Sequence, residues 1–167
     1  MTAEPTLLNP EPLTSIYGRI PTFAGFRLRS INLNWRGPTV TLRLDLPQFP
    51  ENITEEWKQS DANTIQCHLQ FLAVANFLLS DWHPPIPSVL LDITPLEDQR
   101  RVKVEAIADG VNFSFTSTPS TLVGHVSAFR LQPDGSDTGR HLFVGKIDNL
   151  RYKNIPSPDE KTFHGRL

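Results

Sequence analysis

Residues 39–46 read Thr-Val-Thr-Leu-Arg-Leu-Asp-Leu, a strict alternation of polar and apolar side chains. Successive side chains of a β-strand point to opposite faces, so this stretch predicts a half-buried strand. The turn residues Arg36-Gly37-Pro38 precede it, and the apolar positions of residues 28–35 lie before the turn. This order predicts a β-hairpin.

The same alternation recurs at residues 64–71 and 101–116. Asp109-Gly110 interrupts the second stretch and favours a two-residue hairpin turn. The phase slips at residues 72–74, which indicates a bulge or a tight bend, and a helix over 69–79 is the competing interpretation. We interpret this region as strand because the phase before the slip is strict.

Shorter apolar stretches predict further strands at 89–93, 122–131 and 141–147. Three prolines make residues 82–87 an unsuitable segment for regular structure. Asn52 and Glu55 have the spacing of a capping box, which predicts one short helical turn starting at Asn52. The chain is therefore expected to be mainly β, with α+β possible. We expect a twisted antiparallel sheet or sandwich of seven to nine strands, with at most one or two short helices.

The 167 residues fit a single domain. We expect an irregular N-terminal arm over 1–22, one antiparallel β domain over 23–153 and a loose tail over 154–167. The first residues have no basic or apolar signal region, and no stretch approaches the roughly 20 apolar residues of a membrane span. These features favour a cytoplasmic protein.

Cys67 is the only cysteine, so an internal disulfide is excluded. It lies in phase with Ile65 and Leu69, which predicts a small buried side chain. Cys67, His68 and distant His83 match no established metal motif, and the sequence has no nucleophile elbow, P-loop or dinucleotide fingerprint. The sequence therefore predicts a binding protein without a cofactor or metal, not an enzyme; an unrecognised small hydrolase remains open.

Charge is distributed unevenly along the chain. The formal net charge is −2, which gives no general basis for nucleic-acid binding. Residues 44–98 nevertheless contain nine acidic residues and one basic residue, a net charge of −8. Trp57 and Trp82 lie within this acidic segment, and aromatic side chains beside acids suit a protein-binding surface. The alternative is that the acids form a solvated face and that the tryptophans cap the core from loops.

The central order of features is similar to the immunity protein 50 family of bacterial polymorphic-toxin systems. The resemblance runs from Phe26 to about Phe129. Its elements are the strand Leu28–Trp35, Gly37-Pro38, the Val40-Leu42-Leu44 strand with Asp45, Pro50, Trp57, Asn63-Thr64-Ile65-Gln66, Leu69, Asp81-Trp82 and Val126-Ser127-Ala128-Phe129. The resemblance implies a bacterial cytoplasmic protein that binds and neutralises a cognate toxin domain, and it brings no catalytic residues.

A toxin that acts on nucleic acids or nucleotides is basic around its active site, so a carboxylate-rich surface could cover that site and speed association. The expected contact set consists of acids and tryptophans of the acidic segment: Glu51, Glu55, Glu56, Trp57, Asp61, Asp81 and Trp82. The alternative function is a carbohydrate-binding β-sandwich module that uses residues 143–152. In that case Asp148 and Asn149, beside aromatic residues, would hold a sugar or a calcium ion; an ordinary strand end is the simpler interpretation.

Overall fold

The computed structural model describes residues 4–97, 100–145, 148 and 150. The described chain is mainly β with two short helices, as the sequence predicts. It has eleven strands in two sheets, more than the seven to nine expected. In chain order the elements are β1 (Thr6–Leu7), α1 (Glu11–Tyr17), β2 (Phe26–Asn34), β3 (Thr39–Asp45), α2 (Glu55–Gln59), β4 (Thr64–Phe71), β5 (Ala75–Trp82), β6 (Ile86–Val89), β7 (Leu91–Leu96), β8 (Arg101–Ala108), β9 (Val111–Ser117), β10 (Ser120–Phe129) and β11 (Leu142–Phe143).

The larger sheet has seven strands and curls like half a barrel. Its order is β1-β10-β4-β3-β2-β6, and β11 also pairs with β10. The smaller sheet has the order β5-β9-β8-β7. All pairings are antiparallel except that of β1 with β10.

Both predicted hairpins are confirmed. Strands β2 and β3 pair from Asn34 opposite Thr39 to Arg27 opposite Asp45, with one register shift. Strands β8 and β9 pair up to Ala108 opposite Val111, which leaves Asp109-Gly110 as the turn. Gly110 has φ +88°, a backbone conformation that glycine adopts without steric cost.

The phase slip at residues 72–74 is a change of sheet. Strand β4 ends at Phe71 in the larger sheet, and β5 begins at Ala75 in the smaller one. Ala73, between them, has φ +51°, which turns the chain. The strand interpretation is therefore confirmed, and the competing helix is excluded. The slip arises because β4 and β5 belong to different sheets, which face one shared core from opposite sides.

Residues 82–93 correct two expectations. The predicted single strand at 89–93 is divided, because the chain passes from β6 to β7, and so between sheets, at the exposed Leu90. The segment 82–87 is not wholly irregular, since Trp82 ends β5 and Ile86-Pro87 begins β6. Ile86 is buried opposite Leu28. Pro87 is tolerated because β6 is an edge strand.

The N-terminal segment differs from the predicted irregular arm where it is described. It contains β1 and α1, and Leu13 of α1 is completely buried. The Asn9 side chain donates to the carbonyl of Val123 in β10 at 2.7 Å and accepts from the Val123 amide at 2.9 Å. Such a tie between residues 114 positions apart has no local sequence signal. The boundaries at 23 and 153 stay predictions, and the tail over 154–167 lies outside the described residues.

The apolar core lies between the two sheets. The rings of Phe71 in β4 and Phe115 in β9 meet edge to face across it, with centroids 5.1 Å apart. Leu42 and Leu44 of β3 are fully buried in the same core, as is Cys67 of β4. Burial raises the pKa of the Cys67 thiol, and the nearby charge of Asp45 adds to this effect. Cys67 is therefore an inert core residue, as its phase predicts.

Candidate functional site

Helix α2 and its flanks present the exposed carboxylates of the predicted contact set. The helix lies in the connection between β3 and β4. Its N-cap is Thr54, whose hydroxyl accepts from the Trp57 amide at 3.3 Å. The prediction of Asn52 as N-cap is wrong because Thr54, with an extended backbone, already places an acceptor at the third helical amide. The helix therefore starts at Glu55.

Trp57 is not a surface residue. Its side chain is 6% exposed and belongs to the core, where its ring lies 6.2 Å from that of Phe49. This finding corrects its place in the predicted contact set and agrees with the alternative that it caps the core. Trp57 holds one side of α2 against the protein. As a result Glu51, Glu55, Glu56 and Asp61 are exposed.

Three of these four carboxylates already have cationic neighbours. Glu55 pairs with Lys58 at 2.9 Å. Glu56 lies 3.8 Å from Arg140, and Asp61 lies 3.6 Å from Arg130. Both arginines come from the chain after residue 129, outside the acidic segment. The local field of this surface is therefore weaker than the sequence charge of residues 44–98 indicates.

Asp81 and Trp82 lie on a different element from the α2 acids. They end β5, at an edge of the smaller sheet, and both are partly exposed. An oxygen of Asp81 lies 2.9 Å from Nε2 of His83, whose side chain is 81% exposed. The structure thus divides the predicted contact set into an α2 group, in the connection between β3 and β4, and a β5 group at an edge of the smaller sheet.

A cleft adjoins the α2 group. It lies between the C-terminal end of α1 and residues 48–52, with a volume of about 780 Å³. The Tyr17 hydroxyl donates to the Gln48 carbonyl at 2.6 Å and joins the two walls. Glu51 and Arg19 are among its lining residues. No sequence motif marked this cleft, because it depends on how α1 packs.

The larger sheet has one face on the apolar core, and its opposite face carries a buried polar network that the sequence did not predict. Arg29 of β2 donates to Asp45 of β3 through Nε at 2.9 Å and also through a second nitrogen. Gln66 of β4 donates to Asp45 at 3.0 Å and to Asp137 at 2.8 Å. Arg43 of β3 forms an ion pair with Asp137. Asp137 belongs to the loop after β10, which therefore covers this face.

These contacts determine the protonation of Asp137. Burial alone would raise its pKa, but the hydrogen bond from Gln66 and the charges of Arg43 and Arg29 outweigh that effect and hold the pKa below its usual value. The loop is fixed further by the carbonyl of Gly135, which accepts from Arg27 at 3.1 Å and from Arg29 at 2.7 Å. The polar network is thus a structural clamp that holds the loop after β10 against the sheet.

Three buried histidines share this polar face. His68 of β4 and His125 of β10 lie edge to face with ring centroids 4.9 Å apart. His141 lies between the Ser127 hydroxyl and the Asp137 carbonyl, each 2.9 Å from a ring nitrogen. Since that carbonyl can only accept, Nε2 of His141 donates to it. Burial lowers the pKa of both His68 and His141, so both are neutral near pH 7.

The weaker site hypotheses receive no geometric support. Cys67 and His68 point to opposite faces of β4, and His83 is exposed at the end of β5, so the three are not brought together. Among the described residues no group of histidine, cysteine and acidic side chains has an arrangement that could hold a metal. Asp148, proposed for sugar binding, lies 3.3 Å from Nδ1 of His125. Asn149 lies outside the described residues.

The fold defines a two-sheet, mainly antiparallel β protein. Residues 9–119, two thirds of the chain, match the family model of immunity protein 50. The chain belongs to the immunity protein 50 family, which suggests an immunity or antitoxin role and implies a toxin as partner. No curated protein and no solved structure matches the chain.

The region that matches the family model begins earlier and ends earlier than the resemblance seen in the sequence, which ran from Phe26 to about Phe129. It includes α1, which the sequence resemblance left out, and it ends before β10, so Val126–Phe129 lies beyond it. All seven residues of the predicted contact set fall inside it, whereas Asp137 and Asp148 fall outside. Family membership implies a non-catalytic inhibitor. No helix within the described part of the chain is long and apolar enough to cross a membrane.

Proposed function

We propose that this chain is an immunity protein that binds a cognate toxin domain and neutralises it by covering the active site. Membership of the immunity protein 50 family carries this proposal. The toxin would be the C-terminal domain of a secreted protein, and the complex would form in the bacterial cytoplasm of the producing cell.

The exposed carboxylates of α2 and its flanks are the proposed first contact. Glu55, Glu56 and Asp61 have side-chain exposures between 59% and 78%, so an incoming cationic group can reach them. Exposed ion pairs such as those with Lys58 and Arg130 contribute at most about 1 kcal/mol each. An arginine or lysine of the toxin can therefore replace the chain's own cation at small cost.

The cleft beside α2 gives this surface a concave part. Glu51 lies on one wall, and the C-terminal end of α1 forms the other. No basic residue occupies the last turn of α1, so its carbonyl groups leave a partial negative charge there. This arrangement favours a cationic side chain of the partner, in spite of Arg19 nearby. In this proposal Trp57 contributes by holding α2 in place, whereas Asp81 and Trp82 form a separate contact on β5.

The electrostatic part is tested by combined charge reversal, Glu55→Lys, Glu56→Lys and Asp61→Lys. We expect slower association with the toxin domain encoded beside this chain, with a larger difference at low salt, because exposed charges act through a screened field. The matched control reverses three other exposed acids, Glu11, Glu97 and Asp134, and produces the same change in net charge.

Stopped-flow or surface-based kinetics give the association rates, and co-expression shows whether cells survive the toxin. Equal association rates for the two triple variants would exclude α2 as the steering surface. Failure of the unmodified chain to protect cells or to bind the toxin domain would refute the proposed function itself.

A further inference from the structure

The edges of the two sheets differ in how well they can accept another strand. At the edges of the larger sheet, β1 and β11 have two residues each, and β6 contains Pro87. In the smaller sheet β7 contains Pro95, whereas β5 has eight residues and no proline. Proline lacks the amide hydrogen that strand pairing needs, and very short edges offer few pairing groups. Among the described strands, β5 is thus the edge best suited to pairing.

The exposed side chains of β5 are apolar at its centre. Leu78 is 68% exposed and Leu79 is 44% exposed. Within the described part of the chain, β5 pairs with β9 along one side and has no strand on the other. A long edge with exposed leucines is a template for a further strand, because pairing would satisfy the backbone and remove apolar surface from water.

The register of β5 with β9 shows which face each leucine occupies. Leu78 lies opposite Ser114, which is partly exposed, so Leu78 is on the outer face. Leu79 lies opposite Phe113, a fully enclosed core residue, so Leu79 is on the core face but extends past the edge of the core. Apolar surface therefore reaches the edge on both faces of the sheet.

This strand is complementary to itself. A two-fold axis perpendicular to the sheet pairs β5 antiparallel with a second β5 and keeps each face on the same side. With the axis at Leu78, this residue lies opposite Leu78 of the partner subunit, and Phe77 lies opposite Leu79 of the partner subunit. Asp81 is the only charged residue of β5, and it lies three positions along the strand from Leu78, so the two copies of Asp81 are on opposite sides of the axis. No like charges meet.

We propose that β5 is a self-association edge, through which two copies of this chain join their smaller sheets into one eight-stranded sheet. This inference goes beyond the proposed function and needs no toxin. Two register shifts between β5 and β9 flank the Leu78-Leu79 stretch. Bulges of this kind shorten the segment that can pair regularly. The dimer is therefore expected to be reversible and to depend on protein concentration.

Analytical ultracentrifugation of the full chain over a wide concentration range tests the proposal. The mass is expected to rise from 18.8 kDa towards twice that value as concentration increases. Leu78→Lys and Leu79→Lys are each expected to abolish the rise. The control is Ile107→Lys. Ile107 is 75% exposed on the same sheet but lies on β8, which is separated from β5 by β9. A chain that stays monomeric, or an Ile107→Lys variant that loses the dimer, overturns the proposal.

Hydrogen exchange supplies a second readout that identifies the occupant. In the dimer, amides of β5 gain protection as protein concentration rises without any other protein present. If these amides gain protection only when the toxin domain is added, a strand of the toxin occupies the edge and self-association is refuted. The triple variant Glu55→Lys, Glu56→Lys and Asp61→Lys separates the two proposals, because these residues lie on or beside α2, outside β5. It is expected to form the dimer like the unmodified chain and to associate more slowly with the toxin domain.

Discussion

The imidazole rings of His68 and His125 lie edge to face on the polar side of the larger sheet, with centroids 4.9 Å apart. Burial lowers the pKa of His68 to about 3, and the charges of His125 and Arg43 act in the same direction. The carboxylate of Asp148 also lies near the pair, 3.3 Å from Nδ1 of His125. His68 is therefore neutral in the folded chain over the whole physiological range.

The lowered pKa of His68 predicts that the folded protein loses stability in acid. Between the unfolded pKa of 6.5 and the folded value of about 3, the unfolded chain binds a proton at His68 that the folded chain does not. The free energy of unfolding therefore falls as pH drops below 6.5. At pH 5 the loss from His68 is about 2 kcal/mol relative to pH 7.5. Urea denaturation at the two pH values measures it.

His68→Gln is the control for this prediction. Glutamine already occupies positions 66 and 70 on the same face of β4, so an amide fits that environment. The variant is expected to lose less stability between pH 7.5 and pH 5 than the unmodified chain. An unchanged pH dependence would show that other groups, such as His141, cause the acid sensitivity.

Removal of the Asp137 carboxylate tests how much the contacts of the loop after β10 stabilise the fold. In Asp137→Ala, Gln66 loses a 2.8 Å hydrogen bond and Arg43 loses its ion pair, while both stay largely buried. We expect a loss of roughly 2–3 kcal/mol in the free energy of unfolding, because buried donors are left without their acceptor. Asp134→Asn, in the same loop but solvent-exposed, serves as the control, because asparagine keeps an oxygen that can accept from the Ser136 amide. Equal losses in chemical denaturation would show that the clamp does not stabilise the fold.

Alternation predicted the strands well but not the sheets to which they belong. Residues 39–46 and 64–71 read as strands because one face of each lies in a continuous apolar core. The chain changes sheet over three residues at 72–74 and over one residue at Leu90, and alternation cannot distinguish such short breaks from bulges. The buried N-terminal helix was missed because Leu13 and Asn9 are fixed by contacts with distant strands.

The candidate site was predictable only in part, for a related reason. The sequence correctly indicated exposed acids at Glu55 and Glu56, but Trp57 between them is buried, since one face of even a short helix turns inward. The pairing of Glu56 with Arg140 joins residues far apart in the chain. The polar alternates Arg43 and Asp45 look solvent-facing in sequence. They are instead covered by the loop after β10. This loop has no run of apolar residues, so its sequence does not indicate that it packs against the sheet.

Gly110 and Gly37 form a matched pair for the hairpin turns. Both have positive φ, +88° and +69°. A Cβ at Gly110 would lie 2.8 Å from the backbone carbonyl oxygen of His83, whereas a Cβ at Gly37 would meet nothing within 4 Å. Gly37→Ala is expected to cost about 1–2 kcal/mol from backbone strain alone. Gly110→Ala is expected to cost roughly 1–3 kcal/mol more, because backbone must shift. Similar melting temperatures for the two variants would contradict this contact.

Trp57 and Trp35 test whether α2 is held by its buried face. Trp57 is 6% exposed and packs beside Phe49, whereas Trp35 is 81% exposed after β2, with the Arg36 guanidinium 5.2 Å from its ring centroid. Trp57→Ala is expected to cost about 3–5 kcal/mol of unfolding free energy because it leaves a cavity. Trp35→Ala is expected to change it by less than about 0.5 kcal/mol. Under conditions in which Trp57→Ala remains folded, its affinity for the toxin domain is expected to be reduced, because α2 loses the side chain that packs it against the core. If Trp57→Ala changes neither affinity nor stability, Trp57 does not fix the orientation of α2, and the ion pairs of the helix would do so instead.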